Sequence, residues 1–528
     1  MKPVGYAALI DRYGLQGPSP WHLSSIAKGP RSTEISEDGV LEKYPSVYDP
    51  GDADLDHLLF ALKYDGVDLR LLKAYFPIFT AGELVEAITK RTHSMPLRRL
   101  WFLYEWLTRE SLPIPDQKTG NYGELLDSDV YVTAPLFRSP RHRVLVNTLG
   151  TSTYCPMVRK TKRLSAFAGK ELQRKTGSLI QTVDATVLAR ATSYLYLKES
   201  RTSWDIERVQ PSQQRMVRFL SALRQAPAVE LDKPRIVHAH NAIVDPDDFE
   251  TNYRINPVSV SDVKRIDYIA PRPEDVEPLM EALLAGVDHG SHSKALIQAD
   301  IAAMNGGKGR GEILRQSMII DPVIHAAMVG FGFVYIHPFS DGNGRMHRFL
   351  MQQILARRGF SPADFIIPVS PAILRDREGY LKTLGLISTK IMPFVEYAQD
   401  QRSGAITIRN QTADLYRYPD LTPHAEFLYE KIEDSIERDV QCELVYIQTY
   451  DRAKLRARII RQLPDAQEKA LLNLCFSEGR VSSEMRQQIF SDIAEAELDK
   501  LESVVVATVN ECPLPKAFLQ AQALEQMR

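Results

Sequence analysis

His337, Asp341, Arg345 and Arg348 fall within one twelve-residue run, His337-Pro338-Phe339-Ser340-Asp341-Gly342-Asn343-Gly344-Arg345-Met346-His347-Arg348. An imidazole near its unperturbed pKa accepts a proton from a hydroxyl at neutral pH. A hard carboxylate suits Mg2+, which takes few protein ligands and fills its shell with phosphate oxygens and water. Glycines let a backbone approach a ligand closely, and arginines three residues apart share one helix face. Base, carboxylate, glycine turn and guanidinium pair together suit group transfer on a nucleotide phosphate.

Such residues need elements to hold them. Asp321-Pro322 supplies an N-cap and a proline at the first helical position. Val323, Ala326, Ala327, Met328, Phe331 and Val334 then recur at helical spacing. Pro338 ends that helix, which puts His337 at a helix-to-loop corner. Asp341 to Gly344 form the turn into a second helix, running from Arg345 to about Arg357. The amides at its start, with the positive end of the dipole behind them, make an anion cradle.

The run resembles the signature of the Fic (Fido-domain) family, HPFx[DE]GNGRxxR, at every fixed position. The resemblance implies a mainly α protein: a helical Fic/Fido core with a short β-hairpin flap, a helical N-terminal domain and a C-terminal helical domain similar to a winged helix. It implies a protein adenylyltransferase that moves AMP from ATP to a Ser, Thr or Tyr hydroxyl of a protein. His337 would take the hydroxyl proton and Asp341 would bind the Mg2+ bridging the phosphates. Gly342, Asn343 and Gly344 would line the anion hole, and Arg345 and Arg348 would hold the outer phosphates. Phe339 would pack under the loop, while His347 stands where many relatives carry glycine.

The resemblance reaches beyond the signature. Alternation from Tyr253 to Ile269 predicts a hairpin, and in Fic enzymes Val258, Ser259 and Val260 would clamp the target by strand addition. Ile367 to Pro371 and the residues up to Tyr380 are similar to the segment closing the nucleotide side, with Tyr380 near the adenine. Ser203-Trp204-Asp205-Ile206-Glu207-Arg208 resembles the inhibitory motif [ST]xxxE[GN], with Arg208 replacing its last residue and about 130 residues separating it from His337. Glu207 would then compete with the γ-phosphate for Arg348. AMP removal, transfer of another nucleotidyl or phosphoryl group, and a nucleotide-gated interaction protein remain open alternatives.

A chain of 528 residues should hold two to four domains. The expected divisions are a mostly helical region 1–175, a lead-in 176–232 carrying Glu207, the core 233–402, and a helical tail 403–528. Residues 1–30 read as extended or loosely packed, and Val504 to Val509 reads as a strand. A net charge of −2 gives no global attraction to nucleic acid or membrane. The candidate recognition segment Asp492 to Glu502 has Lys500 as its one base, which favours protein docking over DNA. The basic cluster Arg138 to Arg143 reads as a solvated loop or a contact for acidic groups. A homodimer or self-modification is compatible with this reading.

The four cysteines have no zinc or disulfide spacing, which fits a reducing cytoplasm. The first residues lack a signal-peptide core, and no apolar stretch is long enough to span a bilayer. The histidine pairs His238/His240 and His289/His292 lack matching ligands, so surface or loop positions are expected.

Overall fold

The computed structural model describes residues 1–36, 39–134, 136–226, 231–262, 265–287, 320–362, 364–400 and 402–527. They form two compact units. One comprises Met1–Lys170, Gln210–Arg358 and Asp376–Tyr429; the other comprises Glu171–Val209, Gly359–Arg375 and Glu430–Arg528. The expected boundaries at 175, 232 and 402 are not where these units divide.

The first unit is built on the helix Pro322–Ile336, in which every residue from Val323 onward is buried. A helix apolar on all faces belongs inside a protein. The Asp321 carboxylate accepts from the amides of Val323 (2.8 Å) and Ile324 (3.2 Å), and Pro322 fills a position whose amide needs no partner. Gly330 and Gly332 let neighbours close in: a Cβ at Gly330 would meet Met351 at 2.7 Å, and one at Gly332 the Tyr154 hydroxyl at 2.5 Å. Against this central helix pack the signature helix Asn343–Arg357 and the helix Pro273–Val287.

Residues before 170 carry more strand than the periodicity predicts. Strands Lys2–Val4, His22–Ile26, Val40–Tyr44 and Ser32–Ile35 form a four-stranded sheet in that spatial order, with His22–Ile26 and Val40–Tyr44 parallel. A three-stranded sheet lies further on, at Gly123–Glu124, Phe137–Ser139 and Val144–Val146. The first thirty residues are anchored rather than loose. Tyr6 and Leu9 are fully buried, and the Tyr6 hydroxyl donates to the Gly66 carbonyl at 2.9 Å. Short length hid these strands, because segments of two to five residues carry little alternation.

The helix Met95–Thr108 holds Glu105 in the core at 1% exposure. Its carboxylate accepts from Arg141 at 2.8 and 3.0 Å, from His142 Nε2 at 2.9 Å, from the Trp101 indole at 2.7 Å and from the Leu112 amide at 2.8 Å. Burial alone would raise its pKa; the His142 and Arg141 contacts outweigh that and bring it to about 2. The basic cluster is therefore spent inside the chain: Arg141 on Glu105 and Asp116, and Arg143 on the carbonyls of Gln117 and Lys118.

This N-terminal region is sewn to the segment after residue 410. The Cys155 amide donates to Arg417 O, Met157 to Pro419 O and Leu421 to Met157 O, at 2.8–2.9 Å, and Arg159 pairs with Asp420 at 2.7 Å.

The second unit is helical throughout its described residues after 430. Helix Ala185–Ile206 packs on Val369–Arg375 and on Gln441–Ile460; its Glu199 carboxylate, 1% exposed, accepts from the Ser370 amide and hydroxyl at 2.8 and 2.7 Å. The valine run expected as a strand is the second half of the helix Glu495–Asn510, with Val505 and Val509 buried. With no strand among the described residues after Ile408, the winged-helix likeness is corrected to a purely helical tail. Helical burial of every third or fourth position overrode β propensity there. The acids of this segment are largely paired: Asp499 and Glu502 with Arg486, and Glu497 with Arg461. Among the described residues no helix is long and apolar enough to cross a membrane.

Glu105→Ala should cost about 3–5 kcal/mol, because it takes from Arg141 its buried carboxylate and leaves three further donors, on His142, Trp101 and Leu112, without their acceptor. Denaturant unfolding checks this. The carboxyl's folded pKa lies below its unfolded value, so its contribution is present above about pH 4.5 and fades as pH falls towards 2. The wild-type and Ala curves should converge in that window.

Candidate active site

The central helix stops at Ile336, and His337 takes the left-handed conformation, φ 54 and ψ 59, as its C-cap. Its amide still donates to Phe333 O at 2.8 Å. Its ring turns back so that Nδ1 lies 2.9 Å from Val334 O. A carbonyl can only accept, so Nδ1 carries the proton and Nε2 carries the lone pair. The backbone corner thus selects the tautomer that a base requires.

Phe339 is fully buried below the loop, stacked on the His240 ring at 3.9 Å with Tyr253 at 5.7 Å. Asn343 closes the turn, its amide oxygen accepting from the Phe339 amide at 3.1 Å and its nitrogen donating to Phe339 O at 2.8 Å. Its side chain is therefore a brace of the loop rather than a lining group. Gly342, φ 77, is the N-cap of the signature helix. A Cβ there would meet Val244 at 2.7 Å, so the position needs glycine both for its conformation and for its space. Gly344 follows in the first turn of that helix.

Arg345 and Arg348 are each 1% exposed. Arg345 donates to Asp341 Oδ2 at 2.8 Å. Partial burial would raise the Asp341 carboxyl, but the Arg345 charge and the Gly342 amide outweigh it and hold the pKa below its ordinary value. Arg215, on the helix Gln213–Gln225, lies close enough to feel the crowd: burial lowers its pKa, Asp245 opposes, and the Arg345 charge lowers it further. The positive charge of Arg345 and Arg215 beside the start of the signature helix suits this region to an anion.

Among the described residues no three or more His, Cys, Asp or Glu side chains group as a metal site. Mg2+ bound chiefly by substrate phosphates needs only one or two carboxylates. Asp341, with its side chain 59% exposed, fits that donor set.

The other expected residues lie as follows. Tyr380 is 4% exposed, with its hydroxyl 2.8 Å from His347 Nε2 and its ring against Phe427, so it sits behind the signature helix as a core residue. Val258 immediately precedes the hairpin, whose strands Ser259–Asp262 and Arg265–Ile269 pair antiparallel with a bulge at Val260/Ser261. That sheet has two strands, and Val260 is 44% exposed. Ser203 is buried and Glu207 half-buried at the C-terminal end of helix Ala185–Ile206. Arg208 follows with φ 58, the conformation glycine and asparagine favour at this point of the motif. His240 is buried and donates from Nε2 to Asp341 O at 2.9 Å, which corrects the expectation of a surface histidine. The pair His289/His292 lies outside the described residues.

Several site residues had no motif to announce them. Glu250 accepts from the Ser340 amide at 2.8 Å, and Asn241 grips the Glu250 backbone through both its amide and its carbonyl, at 3.1 and 2.8 Å. Arg254 donates to His337 O at 2.7 Å. The Glu250–Ser340 and Arg254–His337 contacts join residues 90 and 83 positions apart, and spacing within one segment cannot reveal them.

A family model described as Fic/DOC family matches residues 230–355. Over those residues the chain is similar to the Fic/DOC family. It is 32% identical over 124 residues to the protein adenylyltransferase fic-1 of Caenorhabditis elegans, covering 22% of this chain and 23% of that protein. It is 32% identical over 148 residues to the protein adenylyltransferase Fic of Nematostella vectensis, covering 28% and 26%. The chain thus spans about a quarter of the length of these relatives. A solved Fic family protein from Desulfovibrio desulfuricans aligns at 20% identity and a TM-score of 0.36, over 63% of this chain and 84% of that one.

Behind the Fic signature two histidines are fully buried. Burial pushes His347 well below its ordinary value, with the Arg348 charge adding, and burial brings His424, whose Nε2 lies 2.6 Å from the Tyr335 hydroxyl, to about 3. Both are neutral in the folded protein, so stability is full above about pH 6.5 and falls as pH drops and the unfolded chain protonates. Between pH 7 and pH 5 each should remove about 2 kcal/mol. Urea unfolding across that range should show the slope, and His424→Phe should reduce it.

Proposed function

We propose that the Fic domain transfers AMP from ATP to a hydroxyl side chain of a protein, with His337 as general base. The observation that carries this reading is the His337 ring, whose proton is committed to Val334 O beside a helix start backed by Arg345 and Arg348. The printed names of the relatives, protein adenylyltransferases, support the same chemistry.

In the proposed step the target oxygen attacks the α-phosphorus and its proton passes to His337 Nε2. The bond from the α-phosphorus to the bridging oxygen breaks, and pyrophosphate leaves. Gly342 and Gly344 would let the backbone approach the phosphates, and Arg345 and Arg348 would offset their charge, so positioning and charge carry most of the rate. Asp341 would hold Mg2+, which neutralises charge on the phosphates when bound. The edge of the hairpin at Val258, Ser259 and Val260 would accept the target segment as an added strand.

Glu207, with Ser203 in the same motif, would restrain the reaction by occupying the place of the γ-phosphate. Arg208 in a left-handed conformation supports that assignment, since it meets the motif's backbone requirement without the motif's residue. A reducing cytoplasm accords with this reading, the four cysteines being free thiols.

Intact-mass spectrometry after incubation with Mg2+ and each nucleoside triphosphate tests the proposal. A gain of one AMP with ATP is expected, larger in Glu207→Gly and absent in His337→Ala. A gain with another nucleotide in place of ATP would reassign the substrate. Equal gains in wild type and Glu207→Gly would remove the restraint from the proposal.

A further inference from the structure

Arg254 is 4% exposed, yet its hydrogen bonds among the described residues run to carbonyls and not to a carboxylate. Nε donates to His337 O at 2.7 Å, Nη1 to Asn256 O at 2.9 Å and Nη2 to Pro271 O at 2.7 Å. The Arg254 amide adds a bond to Pro338 O at 2.9 Å. Burying a cation without an anion is unfavourable, and desolvation draws its pKa down to about 10. What the arrangement yields is geometry, since a planar fork fixes the directions of all three carbonyls together.

Those carbonyls are not a random set. Asn256 lies just before the first hairpin strand and Pro271 just after the second, so they are the two feet of the flap. His337 is a non-glycine residue in the left-handed region, a strained conformation that persists only where surroundings enforce it. Its turned backbone points the carbonyl away from the helical ladder, and Arg254 receives it. Released, the backbone would relax and the ring would swing off Val334 O. The second hairpin strand is tied to the same corner, because the Tyr268 hydroxyl donates to Tyr335 O and its ring lies 6.5 Å from that of His337.

We propose that Arg254 is a positioning residue for the transfer reaction: one guanidinium holds the base and both feet of the target-binding hairpin in a single frame. This rests on the transferase reading above. Lysine keeps the charge but has no planar fork, and it would hold at most part of the set.

The test compares wild type, Arg254→Lys, Arg254→Gln and His337→Ala by two readouts. The first is the imidazole 15N spectrum, with the His337 signal assigned by its loss in His337→Ala. The second is the kcat and KM for ATP in AMP transfer. In folded Arg254→Lys and Arg254→Gln, the His337 signal should move from the Nδ1–H tautomer to a mixture. The kcat should fall by roughly 10²-fold, with KM for ATP changed by no more than about threefold. A wild-type tautomer together with wild-type kcat in either folded variant would overturn the proposal. In the wild-type protein the Arg254 Nε–H must exchange slowly with solvent; fast exchange would overturn it without any variant. If wild type transfers no AMP, the transferase reading fails, and the tautomer and exchange measurements still decide the role of Arg254.

Discussion

A helix buried on every face must end without leaving polar backbone bare, and the geometry of the signature loop follows from how Pro322–Ile336 does so. Its last carbonyls lie among buried residues and need partners from the protein. The chain answers with a left-handed histidine whose own ring caps Val334 O and whose carbonyl is taken by an arginine from another segment. The same requirement that closes the helix fixes the tautomer of its final side chain. Structural and chemical demands meet in one residue.

Electrostatics complete the arrangement. Two fully buried guanidiniums open the signature helix and a third lies near, with Asp341 as a direct partner of Arg345. Each such cation is expensive to bury. Neutral histidines behind them, at His347 and His424, add no further positive charge, because burial has already stripped their protons. The layer that supports the site is thus kept uncharged while the layer facing it is charged.

The signature loop was legible because its chemistry is local: base, glycine turn and arginines lie within twelve residues, and the helices on either side announce themselves by period and cap. The hairpin was legible for the same reason. Four kinds of feature were not. The strands Lys2–Val4 and Ser32–Ile35 are too short to display alternation. The valines at 504–506 have β propensity, but the spacing of Leu498, Leu501, Val505 and Val509 makes a buried helical stripe that prevails. Tyr380 has helical neighbours at either spacing, and only three-dimensional packing shows its hydroxyl on His347. The residues that frame the base, Arg254, Glu250 and His240, act across 80 to 100 positions of sequence, and no window of pattern contains both ends of such a contact.

Tyr154 places its hydroxyl where a side chain at residue 332 would stand, five residues from the base. Immediately beyond it, the chain from Cys155 to Arg159 forms a backbone ladder with Arg417 to Leu421. The N-terminal region therefore meets the central helix at Gly332 and is fastened separately to the segment after residue 410. Removing it would open the space that the Tyr154 hydroxyl fills beside Gly332. Any force transmitted through it has a short mechanical path, through a glycine-sized gap, to the imidazole.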